Sequence, residues 1–188
     1  MRVHGLLLAA GAGRRMGMPK ALVRHGDGEP WVVRAVDLLR AGGCAEVTVV
    51  LGAGAADARE LLATTAAEIV EAPDWSEGMA ASLRAGLRGL EPGPADAAVV
   101  SLVDLPDLTP EVVRRVVAAG AASGGSALAR AAYDGRPGHP VLIGREHWAG
   151  VLAEASGDAG ARGYLAGHDA LAVECGDLAT GRDVDRPQ

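Results

Sequence analysis

The sequence predicts an α/β fold organised around a mostly parallel sheet, with a small antiparallel insertion in its second half. Three observations lead to this prediction: apolar runs of strand length alternate four times with segments of helical periodicity, a glycine-rich turn directly follows the first run, and the apolar residues, 49% of the chain, include no Phe. Strands buried on both faces are near-continuous aliphatic runs, and parallel strands need a crossover between them. We therefore expect one domain over residues 1–188, with right-handed crossovers.

Each predicted strand of the first half precedes a segment of helical period. The strands are VHGLLLA (3–9), EVTVVLG (46–52), AEIVEA (67–72) and AAVVSLV (97–103), and the helices cover 30–43, 55–66, 79–90 and 109–120. Pro30 begins the first helix, and Thr109 is the expected N-cap of the fourth. Four such units in succession predict a parallel sheet that binds its ligand at the carboxyl ends of the strands.

The second half of the chain has a different pattern. Residues 126–146 are typical of two strands joined by a loop rich in Gly and Pro, which predicts the antiparallel insertion. A helix over 145–155, a short segment over 158–168 and a last strand over 170–175 complete the expected order of elements.

Composition excludes several classes of function. The net charge of −6 argues against a broad basic surface for nucleic acid. No apolar run approaches the roughly 18 residues of a membrane span, and the first run is too short for a signal peptide. Cys44 and Cys175 form no metal-binding or redox motif, so we expect a reduced, cytoplasmic protein without a disulfide.

The turn after the first strand, AAGAGRRMGMPK (9–20), has the composition of a phosphate-binding loop. Its first five residues are Ala or Gly, so that phosphate oxygens can approach backbone N–H groups. Arg15 and Lys20 then supply positive charge, and Lys20 is the only lysine among 18 basic residues. An ammonium on a flexible stem can follow moving phosphate oxygens, which a planar guanidinium does less well. We therefore expect Lys20 to be catalytic.

Two common phosphate-binding motifs fit this turn poorly. A dinucleotide-binding turn has a third glycine where this chain has Met16, and an acidic residue closing the second strand, whereas the first acid there is Asp57. A P-loop has Ser or Thr after its lysine, and here Ala21 follows Lys20.

A carboxylate is predicted at the same edge of the sheet. Asp104 follows the apolar run that ends the fourth strand, in SLVDLPDL. Mg2+ in phosphate-transfer sites is held by one or two carboxylates together with the phosphates, so Asp104 is a candidate catalytic and metal-binding residue. An Asx turn before Pro106 is the alternative explanation.

The turn LAAGAGRRMGMPKAL (8–22) resembles the signature of MobA-like nucleotidyltransferases, LA[AG]GxGxRMGxxK. Five further blocks resemble the molybdenum-cofactor cytidylyltransferase branch of that family, in order and at matching spacing. They are APDWSEGMAASLRAGL (72–87), LVDLPDLTPE (102–111), GRPGHPVLIGRE (135–146), GDAGARGYL (157–165) and DVDRP (183–187). The resemblance implies a three-layer Rossmann-like nucleotidyltransferase fold. It also implies Mg2+-dependent transfer of a nucleoside monophosphate from an NTP to a phosphorylated small molecule.

The same resemblance assigns roles to individual residues. Lys20 and Arg15 would contact the triphosphate, and Asp104 would act with them. Asp185 would be the second metal ligand, with Asp183 as the alternative because we expect the two side chains to face opposite sides of an extended segment. Positions expected to contact the nucleotide are Ala9, Ala10, Gly11, Gly13, Gly78 and Ser82, and those expected to contact the acceptor are Arg136, His139 and Arg162.

The resemblance favours CTP as the donor, since LAAG replaces the LAGG that is usual in the guanylyl branch, and it favours molybdopterin as the acceptor. A molybdoenzyme or its chaperone is then an expected partner. Three alternatives stay open: a sugar-phosphate or phospholactate-type acceptor, an NAD(P)H-dependent oxidoreductase on the same fold, and a non-catalytic accessory protein that binds molybdopterin.

Overall fold

The computed structural model describes residues 1–186 and has three layers, with one sheet between two layers of helices. The strands are β1 (Val3–Leu8), β2 (Glu46–Leu51), β3 (Glu68–Glu71), β4 (Ala97–Leu102), β5 (Leu128–Tyr133), β6 (Arg136–Gly144) and β7 (Leu171–Glu174). The helices are α1 (Trp31–Ala41), α2 (Ala55–Leu62), α3 (Met79–Leu90), α4 (Pro110–Gly120), α5 (Trp148–Glu154) and α6 (Arg162–Gly167). The predicted α/β class and its strand–helix order are confirmed.

The sheet has seven strands in the order β3-β2-β1-β4-β6-β5-β7. All neighbouring pairs are parallel except those of β6, which is antiparallel to both β4 and β5. The predicted pair of antiparallel strands is thus present as a hairpin that turns at Asp134 and Gly135, both with positive φ. The hairpin is part of the main sheet, because β6 pairs with β4 on one side and with β5 on the other.

Strand alternation divides the aliphatic core into two parts. Leu7 of β1 packs on the side of α1, α2 and α4, while Leu6 and Leu8 pack on the side of α3, α5 and α6. Successive residues of a strand point to opposite faces, so a near-continuous apolar run fills both layers at once. Cys44 and Cys175 are buried free thiols.

The ends of the elements follow local chemistry with one exception. Helix α3 occupies the predicted range, and Pro110 begins α4 at a position where its missing N–H costs no hydrogen bond. Thr109 occupies the N-cap position, but within residues 1–186 its buried hydroxyl makes no capping hydrogen bond and has no other partner. The expected side-chain cap is therefore wrong.

The chain order places the site at one end of the β1–β4 pair. From β1 the chain moves outward through β2 and β3, then crosses to β4 on the other side of β1. A reversal of this kind opens a crevice at the carboxyl ends of the two strands, because the loops after them diverge. The loops that leave β1 and β4 carry the glycine-rich turn and Asp104.

Among the described residues, no helix has the length and apolar character that a membrane span requires.

The contact between α3 and the sheet gives a stability prediction. Gly86 lies where a Cβ atom would be 2.6 Å from Leu6 Cδ1 and 2.9 Å from Val50 Cγ2. We expect Gly86→Ala to destabilise the protein by about 1–3 kcal/mol through overpacking. In α6, Gly163 is exposed and nothing lies within 4 Å of its would-be Cβ, so Gly163→Ala should stabilise by roughly 0.5–1 kcal/mol. Urea unfolding measures both, and a stabilised Gly86→Ala variant would contradict the packing described.

Candidate active site

The glycine-rich turn folds back on itself and forms one wall of a cavity of about 620 Å³. The N–H groups of Met16 and Gly17 both donate to the carbonyl of Gly13, and the N–H of Lys20 donates to the carbonyl of Gly11. Gly13 has φ +57°, and a Cβ there would lie 2.0 Å from the Met18 carbonyl oxygen. Only glycine fits this position, because a side chain would both strain the backbone and clash with the turn.

Most of the residues predicted to cradle the nucleotide line this cavity. Ala10, Gly11, Gly13, Arg15 and Lys20 contribute from the turn, and Gly78 and Ser82 contribute from the opposite wall at the start of α3. Ala9 does not line the cavity, and its contact with the nucleotide stays a prediction. Its side chain is buried in the core, and its N–H donates to the Val50 carbonyl, so neither group is available to a ligand.

Lys20 contacts two carboxylates that come from distant parts of the chain. Its Nζ donates to Asp104 Oδ2 and, at 2.6 Å, to Asp185 Oδ1. Arg15 approaches the other oxygen of Asp185 at 2.6 Å. The Lys20 side chain is 17% exposed and that of Asp104 is 9% exposed, so these charges interact with little screening by solvent.

The protonation states of this group follow from burial and pairing. Burial by itself lowers the pKa of Lys20, but its hydrogen bonds with Asp104 and Asp185 outweigh that effect and raise the pKa above its ordinary value. Burial raises the pKa of Asp104, an effect that Lys20 partly offsets. The hydrogen bond from Lys20 lowers the pKa of Asp185. Lys20 is therefore charged at neutral pH and balances the carboxylates around it.

Three carboxylates converge at this point. One oxygen each from Asp104, Asp183 and Asp185 lies within 4.8 Å of the others. The expectation that Asp183 and Asp185 face opposite sides is wrong, because residues two apart in an extended segment share a face. Val184, between them, packs partly buried against the core and donates its N–H to the Asp104 carbonyl at 3.0 Å.

The cluster has the donor chemistry of a hard divalent cation. Asp104 Oδ1 is buried and has no hydrogen-bond partner among the described residues, a costly state for a carboxylate oxygen. Carboxylate oxygens are the ligands that Mg2+ and Mn2+ prefer. The residues present therefore fit such an ion, with Asp104, Asp183 and Asp185 as the groups that would hold it.

Asp107 fixes the segment that delivers Asp183 and Asp185, and sequence reasoning missed this role. Residues 175–186 contain no helix or strand. Asp107 Oδ2 accepts hydrogen bonds from both the N–H and the hydroxyl of Thr180, each at 2.6 Å. Further back, Arg115 pairs with Asp177 at 2.5 Å. These side-chain contacts hold the segment in place, as backbone hydrogen bonds hold a strand in a sheet. No local pattern in the sequence predicts them.

A second cavity of about 610 Å³ adjoins the first. The two share five boundary residues, Leu8, Met79, Leu102, Asp158 and Asp183. Most of the second cavity is apolar, formed by aliphatic side chains of β4, β6 and α3, and its polar wall contains Arg130, His139 and Arg162. Each volume is typical of a small-molecule site, so the cleft has room for two ligands side by side.

The predicted acceptor residues are only partly brought together. His139 and Arg162 line the second cavity. Arg136 does not line it: it pairs with Tyr133 beside the hairpin turn and is exposed, and its acceptor contact stays a prediction. Sequence reasoning also missed Arg130. The alternation of β5 could have flagged it, because an arginine flanked by the buried Ala129 and Ala131 is unusual in an inner strand.

His139 is a neutral group within this cavity. Burial lowers its pKa to about 4, and the positive charges of Arg130 and Arg162 act in the same direction. At neutral pH the imidazole therefore adds no charge to the cavity and can both donate and accept a hydrogen bond.

Comparison with known proteins places this geometry in a family. The profile described as "MobA-like NTP transferase domain" matches residues 5–172. A protein of Paenarthrobacter nicotinovorans named nicotine blue oxidoreductase is 38% identical, covering 97% of this chain and 92% of its own length.

Solved structures share the architecture. Rv0371c from Mycobacterium tuberculosis is 28% identical, with a TM-score of 0.80 over 99% of this chain and 94% of that one. A further structure of Rv0371c, a complex with manganese, has a TM-score of 0.74 over 93% of this chain and 88% of that one. A nucleotidyl transferase from Methanothermobacter has a TM-score of 0.82 at 21% identity, over 98% of this chain and 92% of that one, which shows the fold.

The carboxylate cluster predicts a measurable cation affinity. We expect Asp104→Asn, Asp183→Asn and Asp185→Asn each to weaken Mn2+ binding at least about tenfold, because each removes a charged oxygen ligand. Asp37→Asn, which makes the same change at an exposed position of α1, should have no effect. Mn2+ titration followed by electron paramagnetic resonance measures this. An unchanged titration for Asp104→Asn would remove it from the metal site.

The low pKa of His139 predicts an acid sensitivity with a defined sign. Its folded-state pKa of about 4 lies below the ordinary value of 6.5. Between these values the unfolded chain binds a proton that the folded chain does not, so the free energy of unfolding falls as pH decreases from 6.5 to 4. His139→Asn should flatten that dependence by up to one proton, as measured by urea unfolding across this range. An equally steep dependence in the variant would show that His139 titrates normally in the fold.

Proposed function

This chain belongs to the MobA-like NTP transferase family, and from that premise we propose that it transfers a nucleoside monophosphate from CTP to molybdopterin, releasing pyrophosphate. The observation that carries the proposal is the meeting of three features at one sheet edge: the glycine turn, Lys20 and the three carboxylates. A nucleotide cradle, a mobile positive charge and a cation site are what phosphoryl-group chemistry requires.

The reaction is a substitution at the α-phosphorus of the triphosphate. An oxygen of the acceptor phosphate forms the new bond to that phosphorus, and the bond to the oxygen leading to the β-phosphate breaks. Pyrophosphate leaves with the electron pair. The acceptor phosphate is ionised near neutral pH, so the protein need not supply a general base, and positioning and charge compensation account for most of the catalysis.

The residues of this chain divide these tasks between the walls of the cleft. The backbone of Gly11 and Gly13 leaves space for the phosphates, and Arg15 and Lys20 compensate their charge as negative charge grows on the α-phosphate oxygens. When bound, a divalent cation at the three aspartates would neutralise further charge on the phosphates. Lys20 contacts Asp104 and Asp185 and lines the same cavity, where its charge would also face the triphosphate.

The preference for CTP depends on a single methyl group. Ala10 lines the first cavity and is 4% exposed, so its Cβ occupies space that a glycine would leave to a larger base. Molybdopterin is supported by the second cavity, whose apolar surface suits a flat ring system and whose arginines suit a phosphate. A sugar phosphate would find few hydrogen-bonding partners on that surface.

Reduction by NAD(P)H is the second candidate, favoured by the relative named nicotine blue oxidoreductase. Two features of this chain argue against it. No acidic residue follows β2 to hold a ribose, since Gly52, Ala53 and Gly54 stand there, and the turn lacks its third glycine. The three convergent aspartates also have no task in a hydride transfer.

Ligand-induced shifts of the melting temperature separate the two candidates. We expect CTP with Mg2+ to stabilise more than GTP or ATP with Mg2+, and more than NADPH, because only binding to the folded state raises stability. Stabilisation by NADPH that is indifferent to Mg2+ would establish the reductase instead. If no NTP shifted the melting temperature, an accessory role on the same fold would remain.

Turnover then tests the role of Lys20. With CTP, Mg2+ and molybdopterin, we expect Lys20→Ala to reduce the rate of pyrophosphate release by about 10²–10³-fold, the usual cost of removing one transition-state donor. Arg88→Ala removes a positive charge from an exposed position of α3 and should leave the rate unchanged. Wild-type turnover in Lys20→Ala would refute its catalytic assignment.

A further inference from the structure

We propose that Arg130 and Arg162 together form an anion-binding subsite of the second cavity, and that they hold the negatively charged group of the acceptor while its apolar body lies on the aliphatic floor. The proposal rests on the proposed function in one respect, that the occupant is the acceptor. It adds a residue, Arg130, and a chemical class: an apolar molecule carrying a phosphate or carboxylate.

Arg130 occupies an inner position of the sheet. It lies in β5, opposite Val141 of β6 and Ala172 of β7, with strands on both sides. Val141 lines the second cavity, and residues opposite each other on neighbouring strands share a face, so Arg130 stands on the cavity floor. An arginine in the middle of a sheet is costly unless its charge and its N–H groups are used.

Within residues 1–186, no other group of the protein pairs with the charges or the side-chain N–H donors of Arg130 and Arg162. Over residues 1–186, neither Arg130 nor Arg162 makes an ion pair or a side-chain hydrogen bond, and Arg130 Nε is buried without a partner. The acidic residues nearest to this region, Asp158 and Asp183, lie on the boundary with the first cavity and do not approach to ion-pair distance. Two guanidinium groups thus line one cavity, and neither is in an ion pair within residues 1–186.

The positions of Arg130 and Arg162 have an electrostatic consequence. Burial lowers the pKa of Arg130, and the positive charge of Arg162 lowers it further, because the two like charges repel each other. An anion between them would remove that repulsion and satisfy the orphaned donors. Guanidinium groups bind phosphate and carboxylate through paired N–H donors, which are among the strongest hydrogen bonds in proteins. In a chain of net charge −6, an uncompensated pair of arginines is a specific feature.

The remaining lining defines the rest of the ligand. Val100, Val141, Ile143 and Leu165 contribute only aliphatic surface. His139 is neutral for the reasons given above and can hydrogen-bond to a heteroatom without adding charge. The cavity therefore fits an apolar, ring-like body with an anionic substituent better than it fits a polyol.

The test uses 1-naphthyl phosphate as the probe, titrated into the full chain without nucleotide and followed by its fluorescence. We expect it to bind at least about tenfold more tightly than either 1-naphthol or inorganic phosphate, because only the complete probe uses both parts of the cavity. Arg130→Gln and Arg162→Gln should each weaken its binding about tenfold or more. Arg88→Gln, the same change on the exposed face of α3, should not.

Two further measurements keep the outcome unambiguous. CTP with Mg2+ should not displace the probe, and Arg130→Gln should keep the wild-type melting shift with CTP, since the first cavity is intact. Should Arg130→Gln fail to fold, Arg130→Lys retains the charge but loses the paired donors, and its affinity for the probe should fall several-fold.

Unchanged affinity in the folded Arg130 variant, competitive displacement of the probe by CTP, or no binding of the probe to the wild type would each overturn the subsite. A wild type that binds the probe but responds to no NTP would leave the subsite standing and remove the proposed transfer reaction. The two proposals therefore fail separately.

Discussion

The contact of Lys20 with Asp104 and Asp185 is the interaction on which the candidate site depends. It joins segments that lie 84 and 165 residues apart in the chain. Each group would be costly to bury alone, since a charge removed from water needs a partner of opposite sign. The glycine turn, the end of β4 and the C-terminal segment therefore have to be in place together, and each is stabilised by the presence of the other two.

The C-terminal segment, residues 175–186, depends more than the other two parts on contacts with the rest of the protein. It has no ladder of backbone hydrogen bonds, and its position depends on a few side chains, above all Asp107, Arg115 and Val184. Residues that act through such contacts determine where Asp183 and Asp185 lie without touching a ligand themselves. A cation at the three carboxylates would strengthen the same arrangement, because it would bind the folded segment in preference to a detached one.

The parts of this structure that sequence predicts well are those set by local chemistry. Strand and helix boundaries, the glycine turn and the position of Asp104 follow from apolar period, φ preference and the rule that parallel sheets bind ligands at one edge. Ala9 and Arg136 lie outside the two cavity linings, because a side chain's direction depends on where a strand or a hairpin ends, to the single residue. Arg130 is harder to find, because the alternation of β5 marks an arginine as unusual only for an inner strand, and β5 is an inner strand only through its pairing with β6 and β7.

The two cavities place complementary charge on either side of one reaction centre. Both proposed substrates are anions, and two unit charges 4 Å apart at a protein surface repel by about 4 kcal/mol. Lys20 and Arg15 face the first cavity, whereas Arg130 and Arg162 face the second. The proposed triphosphate and the proposed acceptor would therefore each lie beside positive side chains when both are bound. Folding partly buries Arg130, and this burial, together with the positive charge of Arg162, lowers its pKa. In the proposed reaction, the anionic group of the acceptor would relieve the repulsion between Arg130 and Arg162, and acceptor and triphosphate would lie side by side in the two cavities.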